Sequence, residues 1–344
     1  MVKKIVSMLL LGVMLLSLAG CGGEKQSAAG SGSSASKEKV LKVVASHGNK
    51  EKIFEAFTKD TGVRVEFLDM SSGEVLARAQ AEGGKPMADA WFGGGIDSFI
   101  DAKNKGLLES YASKEMDAIP AELRDKDSCW YGMSLVMVGF IVNKEILQQK
   151  GLPMPKTWTA LADPMYKGEI LMANPSVSGT NYGMLSCILQ SRGADAGWKY
   201  FAALAQNVPF FSKRGGEPPM KVAAGEAAIG VIPYTGEYFP LKEKAPVELY
   251  LPEDGVPWVP AGLAIFKNAE NMDSARIFID WVLSKKGQET IRDLDPRIMA
   301  RTDVAAPELM GSFSRDQLMK ADIEVFGTER QATLDTWESR ILKK

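Results

Sequence analysis

The chain has 344 residues, with 41 Lys and Arg against 43 Asp and Glu and a formal charge of −2. Removing residues 1–20 takes Lys3 and Lys4 and leaves 39 basic side chains against 43 acidic ones, which argues against a nucleic-acid binder. The single histidine, His47, leaves little to build a His-rich zinc site or a Ser–His–Asp enzyme from.

The first twenty residues read as a signal peptide. Lys3 and Lys4 precede the apolar run "IVSMLLLGVMLLSLAG", which is too short and wrongly flanked for a stable span. "LAGC", Leu18 to Cys21, resembles the bacterial lipobox, and the resemblance implies cleavage before Cys21 and lipid on its thiol and new amino group. Residues 21–38 are Gly-, Ser- and Ala-rich and read as a flexible tether. About 300 residues remain, more than one core usually serves, so two lobes are expected.

Strands and helices then alternate. "VLKVVAS" (40–46) reads as a buried strand, 49–62 as an amphipathic helix ending at Gly62, and 63–70 as an alternating strand. Residues 72–84 read as a helix with Ser72 as N-cap, 88–94 as a strand running into glycines, and 97–106 as a helix. This is the rhythm of a doubly wound α/β lobe. "MSLVMVGFIVNKEIL" (133–147) is longer than an ordinary strand and reads as a crossing between lobes. A strand over 168–175, helices over 182–193, 196–207 and 218–227, and a buried strand over 228–234 follow. "GVPWVPAGLAIFKNA" (255–269) reads as the return crossing. Residues 272–293 form a long helical pattern with a break near Lys286–Gly287, and 314–342 closes the chain as helix. The expected class is α/β: two doubly wound lobes joined by two crossing segments. Lobe 1 takes 39–135 and 262–305, lobe 2 takes 136–261, and 306–344 forms C-terminal helices. Cys129 and Cys187 are free to pair by compartment, but Cys187 sits in an apolar helical pattern that suits a small core residue.

Ligands in such lobes sit beyond the carboxyl ends of strands. Ser178-Gly179-Thr180 stands where a strand hands over to a helix, whose first N–H groups are unpaired and carry partial positive charge. That composition suits an anion cradle as well as a plain N-cap. Gly93-Gly94-Gly95 can take positive φ and form a nest of N–H groups, with Asp97 beside it. Ser46 and His47 end the first strand. Arg214, beside Gly215-Gly216, offers a fork that matches phosphate or carboxylate. Tyr234 and Glu237 follow the strand over 228–234.

The lipobox, the "SGT" helix start, "VAAGEAAIGV", "ARIFIDWVLSKKGQETI" and "PRIMARTDV" together resemble the solute-binding subunits of ABC importers. More narrowly they are similar to the ferric-iron-binding branch of the type II periplasmic binding proteins, which also holds binders of hexose phosphates, phosphoglycerate, phosphonates and thiamine phosphates. The similarity runs from about residue 40 to about 305. It implies a monomeric clamshell outside the cytoplasm, anchored through Cys21, with an ABC permease and its ATPase as partners, no cofactor and no enzymatic step. Ferric binders of this type use adjacent tyrosines where this chain has Tyr234-Thr235. Ferric iron wants several anionic oxygens, so that departure favours a small phosphorylated or phosphonylated anion, with ferric iron as the alternative. A receptor feeding a sensor kinase would use the same closure. A secreted hydrolase finds no G-x-S-x-G motif here.

Overall fold

The computed structural model describes residues 39–310 and 313–343. The expected signal peptide, Cys21 and the tether lie outside the described residues.

The first third alternates as expected: β1 (Val40–Ser46), α1 (Lys50–Thr61), β2 (Arg64–Asp69), α2 (Ser72–Ala81), β3 (Ala90–Gly95) and α3 (Ile96–Asn104). Gly62 ends α1 in the left-handed region, at φ 72°. The N-cap of α2 is Ser71, not Ser72. Glu74 reaches back to accept from the Ser71 N–H at 2.8 Å, which completes a capping box and releases Ser72 for other work. After β4 (Leu108–Glu109) the first long apolar run forms β5 (Tyr131–Asn143), and α4 (Lys144–Gln149) and α5 (Trp158–Leu161) follow. β6 (Ile170–Ala173) feeds α6 (Gly179–Arg192) and α7 (Ala194–Leu204). β7 (Phe211–Ser212), α8 (Glu217–Ala223), β8 (Ile229–Tyr234), α9 (Leu241–Lys244) and β9 (Val247–Tyr250) lead to β10 (Trp258–Phe266).

The helical pattern over 272–293 divides into α10 (Met272–Leu283) and α11 (Lys285–Leu294). Ser284 takes an extended conformation between them, and its side chain accepts from the Gly287 N–H, so it caps a new helix. β11 (Ile298–Met299) follows. The closing segment is not one helix. It breaks into α12 (Ile323–Thr328) and α13 (Arg330–Trp337), separated by Glu329, with Gly327 weakening the end of α12.

Eleven strands form one sheet among the described residues, in the path β2-β1-β3-β10-β5-β8-β6-β7. β1 pairs in parallel with β2 and β3, and β6 with β8, as two wound halves require. β5 joins the halves. Its residues 131–137 pair with β10 and its residues 137–142 with β8, and all 13 residues are buried. A strand facing protein on both sides reads as a continuous apolar run, which is why its sequence shows little alternation. Cys187 is buried, its thiol donating to the Trp258 carbonyl at 3.3 Å, and both Cys129 and Cys187 are free.

The C-terminal helices rest on α3 and α6. A Cβ added to Gly327 would fall 2.1 Å from Ile100 of α3. The Arg330 Nε donates to Asp97 Oδ2 at 2.7 Å, and its guanidinium lies 5.6 Å from the Tyr182 ring centroid of α6. Trp337 meets Phe211 edge-on at 5.2 Å. Asp97 is fully buried, so burial lifts its carboxyl above the usual range, and Arg330 opposes that shift. Removing one partner of such a pair strands a buried charge. Arg330→Met is therefore expected to lose about 3–5 kcal/mol in urea unfolding, with Asp97→Asn/Arg330→Met recovering most of it. A loss below about 1 kcal/mol would contradict that role.

Candidate functional site

A cavity of 570 Å3 lies beyond the carboxyl ends of the parallel strands. That is within the usual span of about 300–1,000 Å3 for small-molecule sites. Ser46 and His47 reach it from the end of β1, Gly94 from β3, and Ser178, Gly179 and Thr180 from the start of α6. Arg214 and Glu237 complete the expected residues that line it.

Four expected residues go elsewhere. Gly93 takes φ 83°, but it serves packing, since a Cβ there would stand 2.8 Å from the Ser46 carbonyl oxygen. Gly95 faces Gly179. Asp97 points into the core toward Arg330 because an unpaired carboxylate would be too costly there. Tyr234 packs its ring edge-on against Phe239, with centroids 5.2 Å apart.

The helix start is only partly open to a ligand. Ser178 Oγ accepts from the Asn181 N–H at 3.3 Å, an N-cap. The Gly179 N–H donates to Ser72 Oγ at 3.1 Å, from the α2 side of the cavity. Beside it the Gly73 N–H donates to the Val177 carbonyl at 3.4 Å. The walls approach so closely that a Cβ on Gly179 would sit 2.6 Å from the Gly95 nitrogen. One amide expected to face a ligand thus holds the cavity shut. Thr180 and the serine hydroxyls remain as neutral donors at this end.

The cations at the cavity are already matched. Arg214 is 47% exposed and lies 3.3 Å from Asp69. Lys50 stands 3.6 Å from Asp69 and 3.7 Å from Glu51. Arg297 is 4% exposed and ion-paired with the fully buried Asp295. His47 lies 3.6 Å from Asp295, and its Nδ1 contacts the Gly48 carbonyl. Burial, reinforced by Arg297, pulls its pKa well below the usual value, so the ring is neutral. Glu237 shows a large accessible area, yet protein crowds its carboxylate: Oε2 would lie 2.0 Å from a Cβ on Gly48. The residue is both exposed and part of the cavity lining. Burial first, then the charge of Asp295, raises its pKa.

Residues 93–310 match the family model for bacterial extracellular solute-binding proteins. The chain belongs to that family. It is 34% identical to an uncharacterized protein of Haemophilus influenzae, over 83% of this chain and 85% of that one. It superposes on the periplasmic binding protein AfuA from Actinobacillus pleuropneumoniae, solved with exogenous fructose-6-phosphate bound, with a TM-score of 0.84 and 31% identity. That match covers 90% of this chain and 100% of AfuA. It is also 26% identical to the Fe(3+)-binding periplasmic protein of Serratia marcescens, over 72% of this chain and 74% of that protein. The fold is the type II periplasmic-binding-protein clamshell, with β5 and β10 as the crossing segments.

Four features of this solute-binding protein's cavity escaped sequence reasoning. Ser72 looked like a cap. Asp69 ended an ordinary strand. Asp295 and Arg297 belong to "DPRIM", where a charged pair flanking a proline before an apolar run was the available signal. A larger cavity of 990 Å3 opens on the other side of β5, with Leu135 lining it and Val136 lining the smaller one. Two of its cations are paired, Lys103 with Asp125 at 2.5 Å and Arg124 with Asp117 at 3.1 Å, while the donors at strand ends open on the smaller cavity, which is the candidate site. In the solute-binding protein, Gly179→Ala is expected to hold the cleft open. Small-angle scattering should then show a larger radius of gyration than wild type at saturating ligand. An unchanged radius would contradict the closure contact.

Proposed function

We propose that the protein is the extracytoplasmic solute-binding component of an ABC importer and captures a small phosphorylated or phosphonylated solute in its cleft. The observation that carries the reading is the set of neutral donors, Ser72, Ser178 and Thr180, gathered at the start of α6; the Ser46 hydroxyl, at the end of β1, donates to the Met70 carbonyl at 2.5 Å. A phosphoryl group accepts hydrogen bonds from such donors and is further stabilised by the helix N-terminus. The phosphate ester bound by AfuA supports the same chemistry.

In this reading residues 39–135 with 262–305 form one lobe and 136–261 the other. The hinge falls within β5 and β10. In the C-terminal segment, Gly327 of α12 packs on α3, and Arg330 reaches α3 and α6. The monomer closes on its solute and offers both lobes to a membrane permease, whose ATPase drives transport. Lipid on Cys21 keeps it at the membrane, and no bond of the solute is broken. Ferric iron fits the donors less well. Hard trivalent iron wants several anionic oxygens, while Tyr234 is packed on Phe239 and no group of three His, Cys, Asp or Glu is arranged for a metal among the described residues.

Titration calorimetry of the purified protein tests this. Fructose 6-phosphate or 2-aminoethylphosphonate is expected to bind at micromolar Kd or tighter, and ferric citrate to give no heat. Heat from ferric citrate, with silence from both organic anions, would overturn the reading.

A further inference from the structure

The charges around the cavity do not sum in favour of an anion. Arg214 and Lys50 are engaged by Asp69, and Arg297 by Asp295. Arg297 lines the cavity, but its charge is matched by Asp295, and its Nε is buried without a partner. Glu217 and Glu237 also line the cavity, and among the described residues neither has a Lys or Arg within ion-pair distance. Glu217 sits in the first turn of α8, where the helix dipole stabilises its charge. Glu237 has no such support. It stands on the short turn Gly236–Tyr238, reaches across to Gly48, and has the Asp295 carboxylate nearby.

The two ends of the cavity are therefore chemically different. At the α6 end, neutral hydroxyls and a helix N-terminus receive one anionic group. At the Glu237 end stand Glu237, Asp295 with its matched Arg297, a neutral His47 and, farther off, Lys50, which is shared with Asp69 and Glu51. A second anionic group placed there meets a carboxylate that, among the described residues, has no Lys or Arg of its own within ion-pair distance, and like charges repel. A hydroxyl meets a hydrogen-bond acceptor.

We propose that the Glu237 carboxylate is a charge filter that restricts this binding protein to solutes carrying a single anionic group. The inference rests on the proposed binding of a phosphorylated solute and narrows its class. It excludes phosphorylated acids and bisphosphates and admits phosphate monoesters with an uncharged body. Arg214, the cation that the sequence singles out, acts at the mouth with Asp69 and does not offset Glu237.

The test compares fructose 6-phosphate with 6-phosphogluconate, a six-carbon phosphate ester that adds one carboxylate. Calorimetry on the wild-type protein is expected to show the first binding at least roughly 100-fold more tightly. Glu237→Gln, which keeps the shape and removes the charge, is expected to narrow that ratio by about tenfold or more. Its melting temperature and far-ultraviolet circular dichroism report that it is folded, and only the ratio of the two affinities is read. Equal or tighter wild-type binding of 6-phosphogluconate overturns the filter, as does an unchanged ratio in Glu237→Gln. Silence from both probes in the wild type instead removes the parent reading, and the filter with it.

Discussion

The Gly179 N–H donates to Ser72 Oγ across the cleft at 3.1 Å, and the rest of the site depends on that contact. Backbone meets backbone here, because Gly179 and Gly95 carry no Cβ to hold the walls apart. The contact joins the first turns of two helices, α6 and α2, whose strands belong to opposite halves of the sheet. It also explains why Ser71, not Ser72, caps α2. Ser72 points its oxygen out of its own helix and into the facing one. A net hydrogen bond of this kind is worth about 0.5–1.5 kcal/mol, which is small enough for a hinge to make and break.

β5 supplies the complementary constraint. One strand pairs with β10 along its first half and with β8 along its second, so the two halves of the sheet share it. The C-terminal segment seats Arg330 between Asp97 of α3 and Tyr182 of α6, behind the helix starts that line the cavity. Strand ends, helix starts and hinge thus converge on one place, and the cavity is a consequence of the topology.

Local elements were legible because their signals are local. Gly62 announced the end of α1, and the uninterrupted apolar run announced β5. The resemblance in "PRIMARTDV" pointed to the clamshell, although not to the pairing of Arg297 with Asp295. The site was less legible because side-chain direction depends on tertiary neighbours. Asp97 lies two residues beyond the glycine turn, yet its carboxylate follows Arg330, which is 233 residues away in sequence, into the core. Tyr234 ends a strand at the cavity but turns to Phe239. The charge of Arg214 was visible in the sequence, while its neutralisation by Asp69 required the fold. The expectation that unpaired amides would carry the anion gives way to one in which hydroxyls do much of that work, since the Gly179 amide is already bonded.

The central claim is that neutral donors in a closed cleft, not a set of anionic oxygens, hold the solute. The most direct measurement is native mass spectrometry of protein purified without denaturation, joined to phosphorus and iron analysis of the same sample. The account predicts a bound organic species of one phosphorus atom per chain and no stoichiometric iron. One iron atom per chain, with no phosphorus, would contradict it.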